Sequence, residues 1–267
     1  MSTNPLYFVH ISDTHFGPTK AFARHGHAAW PCAQELVRII NNLPMPPAFV
    51  IHTGDVTTDP DPDAYELAAA TFAQLHVPIY YVVGNHDTAP DIRRYLPMGP
   101  KQDLDTPDRL SYVFEVDGYR FVVLDARGPD EIDPNGLLPE SQLAIVRQEA
   151  APDGPPLTIF THYPALPLNS TWFDEHMLIL NGEALHQALL PARERLRGVF
   201  FGHIHQPMQM MRDGIVYVST ASAFSQFTAW PGAPEAELDP DHLPGYNFVH
   251  LLPQQTIVHH HTFPRPD

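Results

Sequence analysis

Short apolar runs recur along this chain and several stop abruptly at a cluster of Asp, His, Gly or Asn: Leu6 to Ile11, Ala48 to Ile51, Ile79 to Val83, Leu157 to Phe160 and Val199 to Phe201. That pattern reads as strands delivering polar loops to one edge of a sheet. Between the first three runs, about Ala28 to Asn42 and Asp63 to Leu75, apolar residues recur at three- and four-residue spacing, which predicts helices. Alternating strand and helix implies parallel pairing with right-handed crossovers. Further on the pattern changes to hairpins. Asp117-Gly118 separates Ser111 to Val116 from Tyr119 to Leu124, Asp213-Gly214 marks a second turn, and Tyr246 to Leu252 and Thr256 to Phe263 read as closing strands. The expectation is two packed mixed sheets with helices outside.

At 267 residues, 43% of them hydrophobic, the chain is long enough for one large α/β domain with a sizeable core. The 30 prolines gather in connections and none marks a domain boundary; no internal repeat is evident. Residues 1–267 are therefore read as one domain, with a lid-like segment at 163–182 and a C-terminal extension at 223–267. No apolar run is long enough to span a membrane and the N-terminus lacks a signal-peptide pattern, so a soluble, cytoplasmic protein is expected. Cys32 is the only cysteine, which rules out an intramolecular disulfide framework and leaves His, Asp, Glu or Asn for any metal. A formal charge of −16 argues against a surface that tracks long nucleic acid. A small phosphate ester stays compatible with it, because buried divalent cations can reverse the local field.

The chemistry-bearing residues sit at the strand ends. Asp13 and His15 follow the first run, two residues apart, and extended geometry would send both side chains to one face. Asp55 follows the second run in Gly54-Asp55, and Asn85, His86 and Asp87 follow the third in Gly84-Asn85-His86-Asp87. His162 follows the fourth, and Gly202-His203-Ile204-His205 closes the set. Carboxylate, imidazole and amide together suit borderline divalent ions such as manganese, iron, zinc or cobalt. A glycine before the ligand lets the backbone turn sharply. Each signal is weak alone, but their ordered combination makes five coincidental polar loops improbable.

In this order, D-x-H, G-D, G-N-H-D, H and G-H-x-H, the motifs resemble those of the calcineurin-like metallophosphoesterases over about three quarters of the chain. The resemblance implies a four-layer αββα sandwich of two mixed β-sheets flanked by helices, with a dinuclear metal centre at one edge. It implies one ion held by Asp13, His15, Asp55 and His205, and another by Asp55, Asn85, His162 and His203, with Asp55 bridging. It also implies hydrolysis of a phosphodiester by attack of a metal-bridging hydroxide. Asn85 and His86 would contact the substrate, and His86 would stabilise the phosphoryl group or protonate the departing alkoxide, with Asp87 orienting its ring.

Thr58 stands where the purple acid phosphatases carry the tyrosine that binds iron(III), so that subgroup does not fit. The segment His162-Tyr163-Pro164, Trp172, Asp174, Leu180, Asn181, Leu185 is similar to class III cyclic nucleotide phosphodiesterases and their glycerophosphodiesterase relatives. So is the tail Ser222 to Phe227 followed by Pro244-Gly245-Tyr246. Thr161 replaces a histidine found in many of them. Within that resemblance Asn181 is a substrate-contact candidate and Trp172 part of a lid. The expected substrate is a small diester, above all a 3′,5′-cyclic nucleotide such as cAMP. A glycerophosphodiester, a broader phosphatase activity and a noncatalytic metal-binding scaffold are the alternatives; the complete motifs weigh against the scaffold. Homo-oligomerisation is left open, and no membrane or long nucleic-acid partner is expected.

Other histidines are set aside. His259, His260 and His261 alternate across a closing strand and cannot easily share one ion, and His10 and His52 precede their motifs inside strands. Lys20 lacks the glycine spacing of a phosphate-binding P-loop.

Overall fold

Phenylalanine decides how the two sheets meet. In the computed structural model, which describes residues 4–106 and 108–266, Phe8 and Phe49 from one sheet face Phe114, Phe121, Phe160 and Phe200 from the other. Ring centroids lie 5.7 Å apart for Phe8 and Phe160, 5.4 Å for Phe8 and Phe200, and 4.9 Å for Phe49 and Phe121. All six rings are buried, each worth about 1.5–3 kcal/mol of transfer free energy.

The first sheet has the order Gln255–Thr262, Gly245–Leu252, Leu6–Ile11, Phe49–His52, Ile79–Tyr81. Its last three strands are parallel, joined by the helices Ala29–Asn41 and Pro62–Phe72, and the two closing strands add antiparallel on the other side. Leu36, Val37, Ile40, Ala68 and Phe72 bury the apolar faces of those helices. Asp61 caps the second helix by accepting from Asp63 N and Ala64 N, with Pro62 in the first turn.

The second sheet runs Gln209–Arg212, Ile215–Ser219, Leu196–Phe201, Leu157–Phe160, Tyr119–Val123, Tyr112–Val116, Gln102–Asp103, parallel at its centre and antiparallel at both margins. Alternation sorts its two faces. Phe160 and Phe200 join the core between the sheets, whereas Ile159 and Val199 pack with Leu143, Val146, Leu185 and Leu189 of the helices Glu140–Glu149 and Gly182–Leu189. Helix, sheet, sheet and helix thus stack in four layers. Both expected tight turns are present: Asp117 and Gly118, and Asp213 and Gly214, have positive φ, as a two-residue hairpin loop requires. The five ligand-bearing loops all leave the C-terminal ends of parallel strands, which is why they converge.

Candidate dinuclear metal centre

The ligand loops are held to one another by their backbones. Asp13 N donates to Gly54 O, His15 N to Asp55 O and Phe16 N to Val56 O, at 3.0, 3.0 and 2.8 Å. The chain does not continue extended through Asp13 and His15, as the sequence suggested; both adopt positive φ, 55° and 45°, as do Asp55, His203 and His205. Non-glycine residues rarely occupy this region, and such strain concentrates at functional sites.

The neighbouring glycines also serve differently from the expectation. Only Gly54 uses its conformational freedom, at φ 103°; Gly84 and Gly202 are needed for space. A Cβ on Gly84 would stand 2.1 Å from Asp55 Oδ1, and one on Gly202 1.9 Å from Ser12 Oγ.

Two of the clusters that result share no residue, one of Asp13, His15 and His205 and the other of Asp55, His162 and His203, and a third, of His15, Asp55 and His86, overlaps both. His205 Nε2 lies 3.5 Å from Asp13 Oδ1 and 3.1 Å from His15 Nε2. Asp55 Oδ2 stands between the clusters, 3.7 Å from His15 Nε2 and 3.4 Å from His162 Nε2. Asn85 Oδ1 approaches His162 Nε2 at 3.3 Å. The donor set fits divalent ions on a direct test: Asp13 Oδ1 is buried with no hydrogen-bond partner, an expensive arrangement for a carboxylate oxygen unless a cation faces it.

Outer hydrogen bonds choose which imidazole nitrogen faces inward. His162 Nδ1 donates to Thr53 O at 2.7 Å, His205 Nδ1 to Ser225 O at 2.9 Å and His203 Nε2 to Pro134 O at 3.0 Å. The opposite nitrogen of each ring is left facing the centre, the one that would present a lone pair to a bound cation. His15 differs. Its Nδ1 faces the guanidinium of Arg24 at 3.1 Å, which can only donate, so ligation through Nε2 requires Arg24 to move aside. Arg24 belongs to the small ribbon Ala23–Arg24 with His27–Ala28, and no local pattern in the sequence singles it out.

Charge is arranged for ligation. Burial alone would raise Asp13 and Asp55, but the His205 imidazole outweighs it at Asp13, as His162 and His86 do at Asp55, and both carboxyls fall well below the usual range. Burial pushes His203 down to about 3 and His15 well below its ordinary value. At His162 burial is overcome by Asp55 and Asp13, which raise it to about 9. A cation bound there would displace that proton.

The remaining sequence candidates divide. His86 clusters with His15 and Asp55; its Nδ1 donates to Thr58 O at 2.6 Å and its N–H to Asp55 Oδ1 at 2.9 Å, leaving Nε2 free. Asp87 does not orient that ring. Its buried carboxylate accepts from Val56 N, Thr57 N, Gly84 N and the Tyr65 hydroxyl at 3.1–3.3 Å, tying the Asp55 loop to the Asn85 loop. Burial and Asp55 raise it to about 6.

Asn181 is not free to meet a substrate. Its Oδ1 accepts from Leu138 N at 3.0 Å and its Nδ2 donates to Leu138 O at 2.8 Å, so both ends of the amide are spent on one backbone residue. Trp172 stacks on His176 at 5.2 Å and packs against the second core. His10 bonds Thr53 and Asn247, and His52 bonds Thr14, inside the fold. His259 and His261 share one face of their strand while His260 bonds Asn247 on the other. Tyr163, fully buried, packs its ring 4.9 Å from His162 and 4.7 Å from His203 and fixes both.

Residues 6–207 match the model of the calcineurin-like phosphoesterases. The chain belongs to that family, and its chemistry is metal-dependent hydrolysis of phosphoric diesters. Among curated relatives, a 3′,5′-cyclic adenosine monophosphate phosphodiesterase, CpdA, from Pseudomonas aeruginosa is 30% identical over 205 residues, 76% of this chain and 70% of the relative. A cAMP/cGMP dual specificity phosphodiesterase from Mycobacterium tuberculosis is 29% identical, covering 94% of this chain and 77% of its own length. A protein named "Probable glycerophosphodiester phosphodiesterase GpdQ" from Arcobacter nitrofigilis is 27% identical over 83% of this chain and 80% of itself. Among solved structures, a dimetal phosphatase from Danio rerio shares the fold with a TM-score of 0.65 at 16% identity, covering 95% of this chain and 98% of the other. No helix among the described residues is long and apolar enough to cross a membrane.

Proposed function

We propose that the chain hydrolyses a 3′,5′-cyclic nucleotide such as cAMP, and that its centre holds two divalent ions chosen among manganese, iron, zinc and cobalt. The observation that carries the two-ion reading is the single oxygen Asp55 Oδ2, 3.7 Å from His15 Nε2 in one cluster and 3.4 Å from His162 Nε2 in the other. Asp13, His15, Asp55 and His205 would hold one ion and Asp55, Asn85, His162 and His203 the other. Bound there, such ions supply Lewis acidity and an ionised water near neutral pH.

The residues do the rest. Water adds to phosphorus, one ester P–O bond breaks, and the leaving sugar oxygen takes a proton. His86 Nε2, free while Nδ1 is held by Thr58 O, is the group placed to deliver it. The Asn85 amide orients a phosphoryl oxygen, and Asp87 keeps the loops carrying Asp55 and Asn85 in register. Arg24, once clear of His15, adds a further positive charge beside the phosphate.

The relatives acting on cyclic nucleotides support this substrate; the glycerophosphodiesterase-named relative is the observation favouring the alternative. Reconstitution with each metal, followed by metal analysis and kcat/KM on cAMP, cGMP, glycerophosphocholine and bis(p-nitrophenyl) phosphate, tests it. The cyclic nucleotides should lead. A preference for the glycerol diester, or for monoesters, would overturn the assignment.

A further inference from the structure

A cavity of about 350 Å³ adjoins the metal centre and shares a wall with it. The shared wall is His205. Its Nε2 faces Asp13 and His15, while its ring packs against Phe227 with centroids 4.7 Å apart. Phe227 lies in the short strand Gln226–Thr228, paired with Glu237–Asp239, and the turn after it presents Trp230 on the same cavity. Trp230 is 75% exposed, the only aromatic among the large hydrophobic side chains standing out in solvent in the described residues. An indole so uncovered has apolar area to gain by covering. Asn169, exposed and also lining the cavity, has φ 59° and a carboxamide with no hydrogen-bond partner among the described residues.

We infer that this cavity is the subsite for the nucleobase of the substrate, with Trp230 and Phe227 supplying the stacking surface and Asn169 the polar contact to the base edge. The inference rests on the cyclic nucleotide reading and adds the residues that distinguish a base-bearing diester from others. A group tethered through one ribose to a phosphate at the centre must lie close to the metal ligands, and the cavity begins at one of them. Its size suits a base and part of a sugar and exceeds what a glycerol moiety fills. A quaternary ammonium could also use aromatic walls. It would want an anion turned to the rings, whereas the Asp239 carboxylate on this cavity is held in its own turn, Oδ1 accepting from Asp241 N and His242 N at 3.1 and 3.0 Å and Oδ2 lying 3.8 Å from His242 Nδ1. A neutral aromatic base with hydrogen-bonding edges fits the lining better.

The test uses the metal-loaded full chain with Trp230→Ala, Trp230→Phe and Asn169→Ala. Trp230→Ala should lower kcat/KM on cAMP roughly tenfold, mainly through KM, as loss of one base-stacking ring does. Trp230→Phe should restore most of it, and Asn169→Ala should cost about threefold to tenfold. Glycerophosphoglycerol, which has neither base nor cation, should change less than about twofold. Adenosine should inhibit hydrolysis of bis(p-nitrophenyl) phosphate by the wild type and do so about tenfold more weakly with Trp230→Ala. This second readout needs no cyclic nucleotide turnover, so it judges the subsite even if the substrate assignment fails. An unchanged cAMP profile in Trp230→Ala, adenosine inhibition indifferent to the substitution, or a loss confined to glycerophosphocholine would each overturn the proposal.

Discussion

The candidate ligand loops and the segment 163–182, which carries the short helix Thr171–His176, both lie outside the sheets, yet opposite forces hold them. At the centre the side chains are polar, five candidate ligands sit at positive φ, and the loops are fixed by backbone hydrogen bonds and by the Asp87 carboxylate. In the segment 163–182 the anchors are apolar: Tyr163, Ala165, Leu166, Phe173, Met177 and Ile179 are buried in the second core. The first region stores strain for function, and the second is shaped by burial like any core element. Length and irregularity alone did not distinguish them.

Substitutions can break that distinction. The largest effect is expected at Asp55. Asp55→Ala should lose both ions and abolish turnover of every diester, beyond the roughly 10²–10³-fold typical of one lost transition-state donor. Metal content by mass spectrometry decides it, and retention of two tight ions with near-normal turnover would refute the shared-ligand role.

His86→Ala comes next. It should keep both ions and lose about 10²–10⁴-fold on a ribose or alkyl diester, with a much smaller loss on an aryl diester whose leaving group needs no proton. Equal losses on both would assign His86 to phosphoryl binding instead.

Asp87→Asn should act one step removed, weakening metal affinity about 10–100-fold while leaving the dependence on leaving group as in the wild type. Competition with a chelator measures the first and a series of aryl diesters the second. Were the leaving-group dependence to steepen as in His86→Ala, Asp87 would be acting through His86 after all.

Asn181→Ala should have the smallest effect on activity. It removes both partners from the Leu138 backbone and should cost about 1–3 kcal/mol of stability, read as a lower denaturation midpoint, with discrimination among diesters unchanged. A changed substrate ranking at unchanged stability would restore Asn181 to the substrate's side and erase the contrast between the two regions.

Much of the centre was legible because the signal is local. A ligand that follows an apolar run by a few residues must emerge near the strand's C-terminal end, and parallel connections put those ends together. Asp13, His15, Asp55, Asn85, His162, His203 and His205 are the candidate ligands that such spacing singles out. The burial of His10 and His52 was also legible, since both lie within or at the end of strands. Asp87 and Asn181 were misread for one reason: their partners, Val56 and Thr57 in one case and Leu138 in the other, lie about 30 and 43 residues away in sequence. Arg24 and Trp230 carried no local signal at all.

The sequence by itself determined the chemistry available at the edge of the sheets: which residue types arrive there, in what order, and with glycines where neighbours crowd. Only the tertiary structure decided which nitrogen of each histidine faces inward, that one oxygen of Asp55 lies between the clusters, and that His205 borders both the centre and an aromatic cavity. The reason is physical. Residue type and strand position are properties of neighbouring residues, whereas tautomer, shared ligation and cavity walls depend on contacts such as His203 with Pro134 or His205 with Ser225, which form only when separate loops pack together.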